Sequence, residues 1–298
     1  MYDVIKVGFC VAYDWALLRK SLPLVYNHAD RICLSLDRNR RSWSGNQYDF
    51  DETGFWKFIN ETDTRAIIDV YEDDFYDSSL SPIQNDNRQR TMLSRRMGEG
   101  GWHIQVDSDE YFFDFSDFKR YLLDLNPHPT GKERPLNVCC KIIPLVKKLE
   151  SGYIFIYGDI RKQELFPCAT NRPEYTSARR NGHFNHVSPF FVLHETWARG
   201  EEELLAKINN WGHVHDFEEK MSYFNLWKAI DRYNWRYIRD FHPLVGPTWQ
   251  RLGYVPQTEV PALIQWFRDN ISMKFPAVWL RKTNSRVYQG IKQRLRLS

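Results

Sequence analysis

Over its first 125 residues the chain alternates between strand-length apolar runs and segments of helical period, and no other feature limits its fold as much. Residues 4–12 form a mostly apolar run of strand length, after which Leu17, Leu18, Leu22 and Val25 recur at helical spacing within residues 15–26. A second buried strand is expected at 31–36, a helix at about 52–60, a strand at 66–71, a helix at about 83–98 and a strand at 102–106. Strands separated by helices of this length predict an α/β fold with a mainly parallel sheet covered on both faces. In such sheets ligands sit beyond the carboxyl ends of the strands, so the residues just after each strand carry the most functional information.

Past residue 130 the pattern changes. A Pro/Gly/charge-rich loop at 128–135 precedes expected strands at 136–145 and 152–157, then a polar stretch runs to about residue 185 and a strand at 189–193 ends at His194-Glu195. From Glu201 onward the spacing is helical, with segments near 201–209, 216–233 and 260–270.

Composition removes some functions and leaves others open. The balance of 41 Lys+Arg against 38 Asp+Glu, a net charge of +3, gives no global reason to expect a nucleic-acid partner. Aromatic residues make up 15% of the chain, which supplies flat faces for stacking on rings or sugars, or for a large aromatic core. Cys10, Cys33, Cys139, Cys140 and Cys168 lack CxxC spacing and sit mostly in apolar runs, as expected for buried thiols in a reducing compartment. No apolar run approaches the roughly 20 residues that span a bilayer, and Met1-Tyr2-Asp3-Val4 does not open an export signal, so cytoplasmic residence is the expectation. The last 29 residues contain Lys274, Arg281, Lys282, Arg286, Lys292, Arg294 and Arg296 with no acidic residue. Interleaved with Trp279, Leu280, Val287, Tyr288, Ile291 and Leu295, they form a basic amphipathic tail suited to anionic lipid at the inner membrane face, or to a solvated or packed helix.

Three strand ends carry polar residues that fall on one edge of the expected sheet: Tyr13-Asp14, Asp37-Arg38-Asn39-Arg40 leading into Ser42-Trp43-Ser44-Gly45, and Asp107-Ser108-Asp109-Glu110. No GxGxxG follows the first strand, which argues against a nicotinamide or flavin. Asp107 and Asp109, separated by one residue at the end of a buried strand, can approach one hard cation directly or through water; the competing role is helix capping, because Asp114, Phe115 and Ser116 open a helix shortly afterwards.

The string Asn85-Asp86-Asn87-Arg88-Gln89-Arg90-Thr91 opens the helix that feeds Trp102-His103-Ile104-Gln105-Val106-Asp107-Ser108-Asp109-Glu110-Tyr111-Phe112. Downstream, His194-Glu195-Thr196-Trp197-Ala198-Arg199 is followed by Glu201-Glu202-Glu203, Lys207 and Trp211-Gly212-His213. In these segments, over roughly residues 4–215, the chain resembles the family 2-like glycosyltransferases of the GT-A fold. The resemblance implies a GT-A catalytic domain at 1–200 and a helical C-terminal region at 201–298 that ends in the basic tail. It also implies metal-dependent transfer of a sugar from a nucleotide-sugar donor to a saccharide, lipid-linked or other hydroxyl acceptor.

The implied cofactor is a divalent cation, Mn²⁺ or Mg²⁺, which would neutralise the leaving diphosphate. Asp109 is its preferred direct ligand, Asp107 the next, through water or toward sugar-ribose hydroxyls, and His194 the third. By the same analogy Asp37 meets the base or ribose, with an Asx turn through Asn39 as the competing role. Arg88, Arg90 and Arg199 are the expected phosphate contacts, the competing role of the first two being a solvated basic face shared with Arg95 and Arg96. Inversion requires a carboxylate beside the acceptor hydroxyl, and Glu195 is the expected base, with Glu110 and Asp216 behind it. The Glu-Asp base motif of the family is not visible between residues 150 and 195, where Gly158-Asp159 and Gln163-Glu164 are the nearest substitutes. His213-x-His215-Asp216 has metal-ligand types, but it precedes a helix and reads better as capping and packing. Trp197, Trp211 and Tyr175 are acceptor platforms or packing. A noncatalytic nucleotide- or sugar-binding protein of the same fold is one alternative function. A metal-dependent phosphohydrolase or nuclease is another, although it would normally gather more carboxylates and histidines around two ions.

Overall fold

The structure, a computed structural model, describes residues 4–158, 164–217, 219–246 and 248–296. The first half follows the expected alternation: β1 (Ile5–Val11), α1 (Leu18–Tyr26), β2 (Arg31–Asp37), α2 (Glu52–Thr62), β3 (Ile68–Asp73), α3 (Pro82–Met97) and β4 (Trp102–Asp107). A short β5 (Glu110–Phe112) and α4 (Phe115–Leu125) follow, the latter capped by Asp114, whose side chain accepts from the Asp117 N–H at 2.9 Å. The second half holds β6 (Leu136–Leu149), β7 (Gly152–Tyr157), β8 (Leu165–Thr170), β9 (Phe184–His194), α5 (Glu201–Asn210), α6 (Lys220–Ala229), β10 (Arg251–Val255), α7 (Val260–Asn270), α8 (Ala277–Thr283) and α9 (Arg286–Arg296).

The strands run in the order β10-β7-β6-β8-β4-β1-β2-β3, with β9 joining β6 to β5. Only β4, β1, β2 and β3 form the continuous parallel block that the alternation predicts. From β4 outward β8, β6, β7 and β10 pair antiparallel, so the sheet is mixed, not mainly parallel. The physical reason lies in the connections: β6 and β7 are joined by a tight hairpin, and a two-residue turn allows only antiparallel pairing. The region past residue 200 is also not wholly helical, because β10 returns to pair with β7.

Ile5, Val7, Phe9 and Val11 of β1 are fully buried against α1 and α4 side chains such as Leu22 and Phe118. On the other face of β1, α3 packs through Leu93 and Met97 onto Gly8; a Cβ there would stand 2.9 Å from Leu93 Cδ2. The glycine thus sets how closely α3, with Asp86, Gln89 and Arg90, lies over the end of β1. Past residue 200, α5 and α6 bury Leu204, Ile208, Phe224 and Trp227 with Trp197, while α7 buries Leu263 and Phe267 against β7.

All five cysteines are buried and free, and burial pushes the Cys10 and Cys33 thiols up to about 12. Among the described residues no helix is long and apolar enough to cross a membrane. The tail forms α8 and α9, which leave Val278, Val287 and Ile291 exposed.

Candidate active site

Because β1, β2 and β4 are parallel, their carboxyl ends open on one edge of the sheet. There Tyr13 and Asp14, Asp37 with Arg41, Ser42 and Trp43, and Asp107 to Asp109 line a cavity of about 460 Å³. The facing wall comes from later in the chain: Glu164 to Pro167 at the start of β8, Arg179 and Arg180, His194 at the end of β9, Lys207 on α5, Trp211 and His213 beyond it, and His242 to Val245. Ser42 ties the two walls together by donating to Asn210 Oδ1 at 2.7 Å.

Asp107 and Asp109 both line this cavity, and each is held by cations. Asp109 Oδ2 accepts from Arg199 Nη2 at 2.6 Å and from Lys207 Nζ at 2.8 Å, while His194 Nε2 stands 3.4 Å from Oδ1. Asp107 Oδ1 accepts from Arg90 Nη2 at 2.9 Å, and Arg179 Nη2 lies 3.4 Å from Oδ2. Burial pushes the Asp109 carboxyl up, but Lys207, His194 and Arg199 outweigh it and hold the group well below the usual carboxylate range. Asp107 shows the same contest, with Arg90 and Arg179 lowering its pKa against burial. Behind them, Arg90 Nε pairs with Asp86 at 2.6 Å, Arg199 with Asp14 at 3.0 Å, and Arg179 forks onto Glu110 at 2.6 and 2.7 Å. Burial raises the Asp86 carboxyl more than Arg90 lowers it.

The expected cation can be tested against this donor set. Hard cations take several oxygen ligands, and here every oxygen of Asp107 and Asp109 already faces Arg, Lys or His. Among the described residues there is no group of three His, Cys, Asp or Glu side chains that could hold a metal ion. As arranged, these residues do not fit a resident divalent cation.

Other expected residues fall in different places. Asp37 reaches the cavity edge, but its carboxylate accepts four backbone N–H groups, those of Asn39, Arg41, Phe75 and Tyr76, at 3.0 to 3.3 Å. Four donors fill a carboxylate, so Asp37 makes the Asx turn and pins the loop after β3 instead of offering itself to a base or ribose. Arg88 is turned away from the cavity, donating to the Asp74 carbonyl at 3.1 Å, which corrects its expected phosphate role. Arg90 lies within the site and Arg199 directly behind Asp109.

Glu195 is also corrected. Its neighbours His194 and Thr196 line the cavity, but its own side chain points to the other face and is held by Lys20 at 2.8 Å, by Tyr153 at 3.1 Å and by Tyr111. Strand alternation accounts for this, since successive side chains leave opposite faces. Glu110, spent on Arg179, is no freer. Of the substitutes, Asp159 and Gln163 lie outside the described residues, whereas Glu164 lines the cavity. His213 Nδ1 bonds Asp216 at 2.7 Å. Trp197 and Trp211 line the cavity and pack edge to face, with centroids 5.4 Å apart, while Tyr175 does not line it.

Sequence reasoning missed Arg179, which bridges Asp107 and Glu110 and lies 4.6 Å over the Phe166 ring. Its only signal was the dibasic Arg179-Arg180 pair in an otherwise aperiodic stretch.

No family model and no curated protein matches the chain. Among solved structures it is similar to residues 1–349 of TarS from S. aureus, at 11% identity and a TM-score of 0.35. The match covers 72% of this chain and 66% of that one.

Proposed function

We propose that this chain is a glycosyltransferase of GT-A type that transfers a sugar from a nucleotide-sugar donor to a hydroxyl acceptor. One observation carries the reading: the ends of β1, β2 and β4, including Asp107-x-Asp109, converge on a single cavity ringed by Arg41, Arg90, Arg179, Arg180 and Lys207. Cations gathered at the carboxyl edge of a parallel block suit a diphosphate, whose departure needs compensating positive charge. A divalent ion is the usual source of that charge in the family the sequence resembles, but the step is assigned here to the side chains that are present.

The acceptor enters between the aromatic wall of Trp197, Trp211 and Trp249 and the strand that begins at Leu165. Glu164, on that strand's threshold, takes the place of Glu195 as the carboxylate that removes the acceptor proton. The basic tail, with Arg281, Lys282 and Arg286 beside exposed Val278 and Val287, brings a cytoplasmic enzyme to an anionic lipid surface that carries or borders the acceptor.

Thermal-shift measurements against a panel of nucleotide sugars, followed by an assay for released nucleoside diphosphate, test the reading. A donor-specific stabilisation with acceptor-dependent release supports it. Hydrolysis of simple phosphoesters without preference for an activated sugar replaces it with a phosphohydrolase, stabilisation without turnover replaces it with a binding protein, and silence across the panel ends it.

A further inference from the structure

Resting on that reading, we infer that the diphosphate of the donor is bound without a divalent cation, by Lys207 and Arg179 on the cavity wall, and that Asp107 and Asp109 serve to hold these cations in place, with Arg199 behind them. The buried cluster sets five carboxylates, Asp14, Asp86, Asp107, Asp109 and Glu110, against Arg90, Arg179, Arg199 and Lys207, with His194 at its edge. It is therefore close to neutral, and a dication entering between Asp107 and Asp109 would displace buried guanidinium groups from their partners while gaining little uncompensated negative charge.

Donors for an anion, by contrast, are still in hand. Arg199 Nε and the indole N–H of Trp197 are buried with no partner among the described residues, and Trp197 lines the cavity beside Lys207. Among the described residues Lys207 Nζ has one hydrogen bond, to Asp109, out of the three it can donate. Arg179 spends its two terminal nitrogens on the Gln105 carbonyl, Asp107 and Glu110, so of its five N–H groups only Nε–H is left for a phosphate oxygen, and its main contribution is positive charge on the cavity wall. Buried donors without acceptors are costly, and a phosphate oxygen on this wall would satisfy the Trp197 indole, whereas Arg199 Nε lies behind Asp109 and off the cavity wall. Arg41 and Arg180 add positive charge at the cavity wall.

The test is calorimetry on metal-stripped protein with UDP, GDP, CDP and dTDP, once in EDTA and once in excess Mn²⁺, alongside Mn²⁺ alone. The expected result is a nucleoside diphosphate whose affinity in EDTA lies within about threefold of that in Mn²⁺, with no heat from Mn²⁺ alone. Binding that appears only with Mn²⁺, or tightens by about tenfold or more, overturns the metal-free assignment and leaves the nucleotide reading standing. No binding of any nucleotide under either condition removes the nucleotide reading and this inference together.

Asp109→Asn gives a second measurement of opposite sign for the two mechanisms. If the carboxylate only holds Arg199 and Lys207, inorganic pyrophosphate binds the variant in EDTA at least as tightly as it binds the unaltered protein; if the carboxylate holds a metal, Mn²⁺-dependent nucleotide binding is lost. Lys207→Gln weakens pyrophosphate binding by about tenfold in EDTA under the metal-free assignment, and an unchanged affinity counts against it. Where a variant does not fold, the comparison of EDTA with Mn²⁺ on the unaltered protein still decides.

Discussion

Lys20 on α1 donates to both carboxylate oxygens of Glu195, at 2.8 and 3.1 Å, across 175 residues of sequence. Tyr111 on β5 and Tyr153 on β7 donate to the same carboxylate, so one buried acidic group joins a helix and two strands to the end of β9. The Glu195 backbone N–H meanwhile donates to the Asp109 carbonyl at 2.9 Å. The residue thus anchors the loop that presents Asp109 and His194 to the cavity while its own side chain stays outside it.

Replacing this group should cost stability. Glu195→Ala leaves two buried phenol hydroxyls without their acceptor and opens a void, for an expected loss of about 2–4 kcal/mol. Glu195→Gln keeps an acceptor and the volume and should lose about half as much. Urea denaturation of both variants at neutral pH checks the order; equal stability of Ala and Gln would contradict the anchoring role.

Gly8 sets the distance between β1 and α3. A Cβ there meets Leu93 Cδ2 at 2.9 Å and Met97 Cε at 3.0 Å, the far ends of two flexible side chains. Gly8→Ala should therefore be accommodated by rotamer changes at a cost of about 1–2 kcal/mol, read as a lowered denaturation midpoint with an unchanged slope.

What could be read from the sequence follows from how local each signal is. The apolar run of β1 and the Trp102-led strand report their own burial, so they are visible without knowledge of their neighbours. β8, Leu-Phe-Pro-Cys-Ala-Thr, and β10, Arg-Leu-Gly-Tyr-Val, carry a proline or a glycine and owe their strand character to β6 and β7 alongside. The site divides in the same way. Spacing placed Asp107 and Asp109 at a strand end, but their cations arrive from as far as Lys207, 98 residues away. The four N–H groups on Asp37 include those of Phe75 and Tyr76, which no local pattern connects to it. The opposed faces of His194 and Glu195 were within reach of sequence reasoning, because they follow from alternation along an extended strand.

Asp37 gives a prediction specific to backbone anchoring. In Asp37→Asn an amide NH₂ must face N–H donors, either of Asn39 and Arg41 or of Phe75 and Tyr76, where a carboxylate oxygen accepted both. The expected loss is about 1–3 kcal/mol. Hydrogen exchange distinguishes this from a general loosening: the Phe75 and Tyr76 or the Asn39 and Arg41 amides should exchange faster, while those of β1 follow only the global change.

The acid limb of stability should carry a contribution from His103. This residue of β4 lies beside Lys6 in register, is almost fully buried, and bonds the Gly100 carbonyl through Nε2 at 3.1 Å. Burial, reinforced by the nearby Lys6 ammonium, lowers its pKa to about 3. The unfolded chain, with an ordinary histidine pKa of about 6.5, therefore binds a proton that the folded chain refuses between these two values. Stability contributed by the neutral ring is full above pH of about 6.5 and is lost as the pH falls toward 3, by about 2 kcal/mol at a pH of about 5. His103→Gln retains a donor for Gly100 without the titration. Urea unfolding of both proteins at neutral pH and near pH 5 should show the unaltered protein losing about 2 kcal/mol more than the variant between the two conditions. Parallel losses in the two proteins would mean that the imidazole accepts its proton in the folded state.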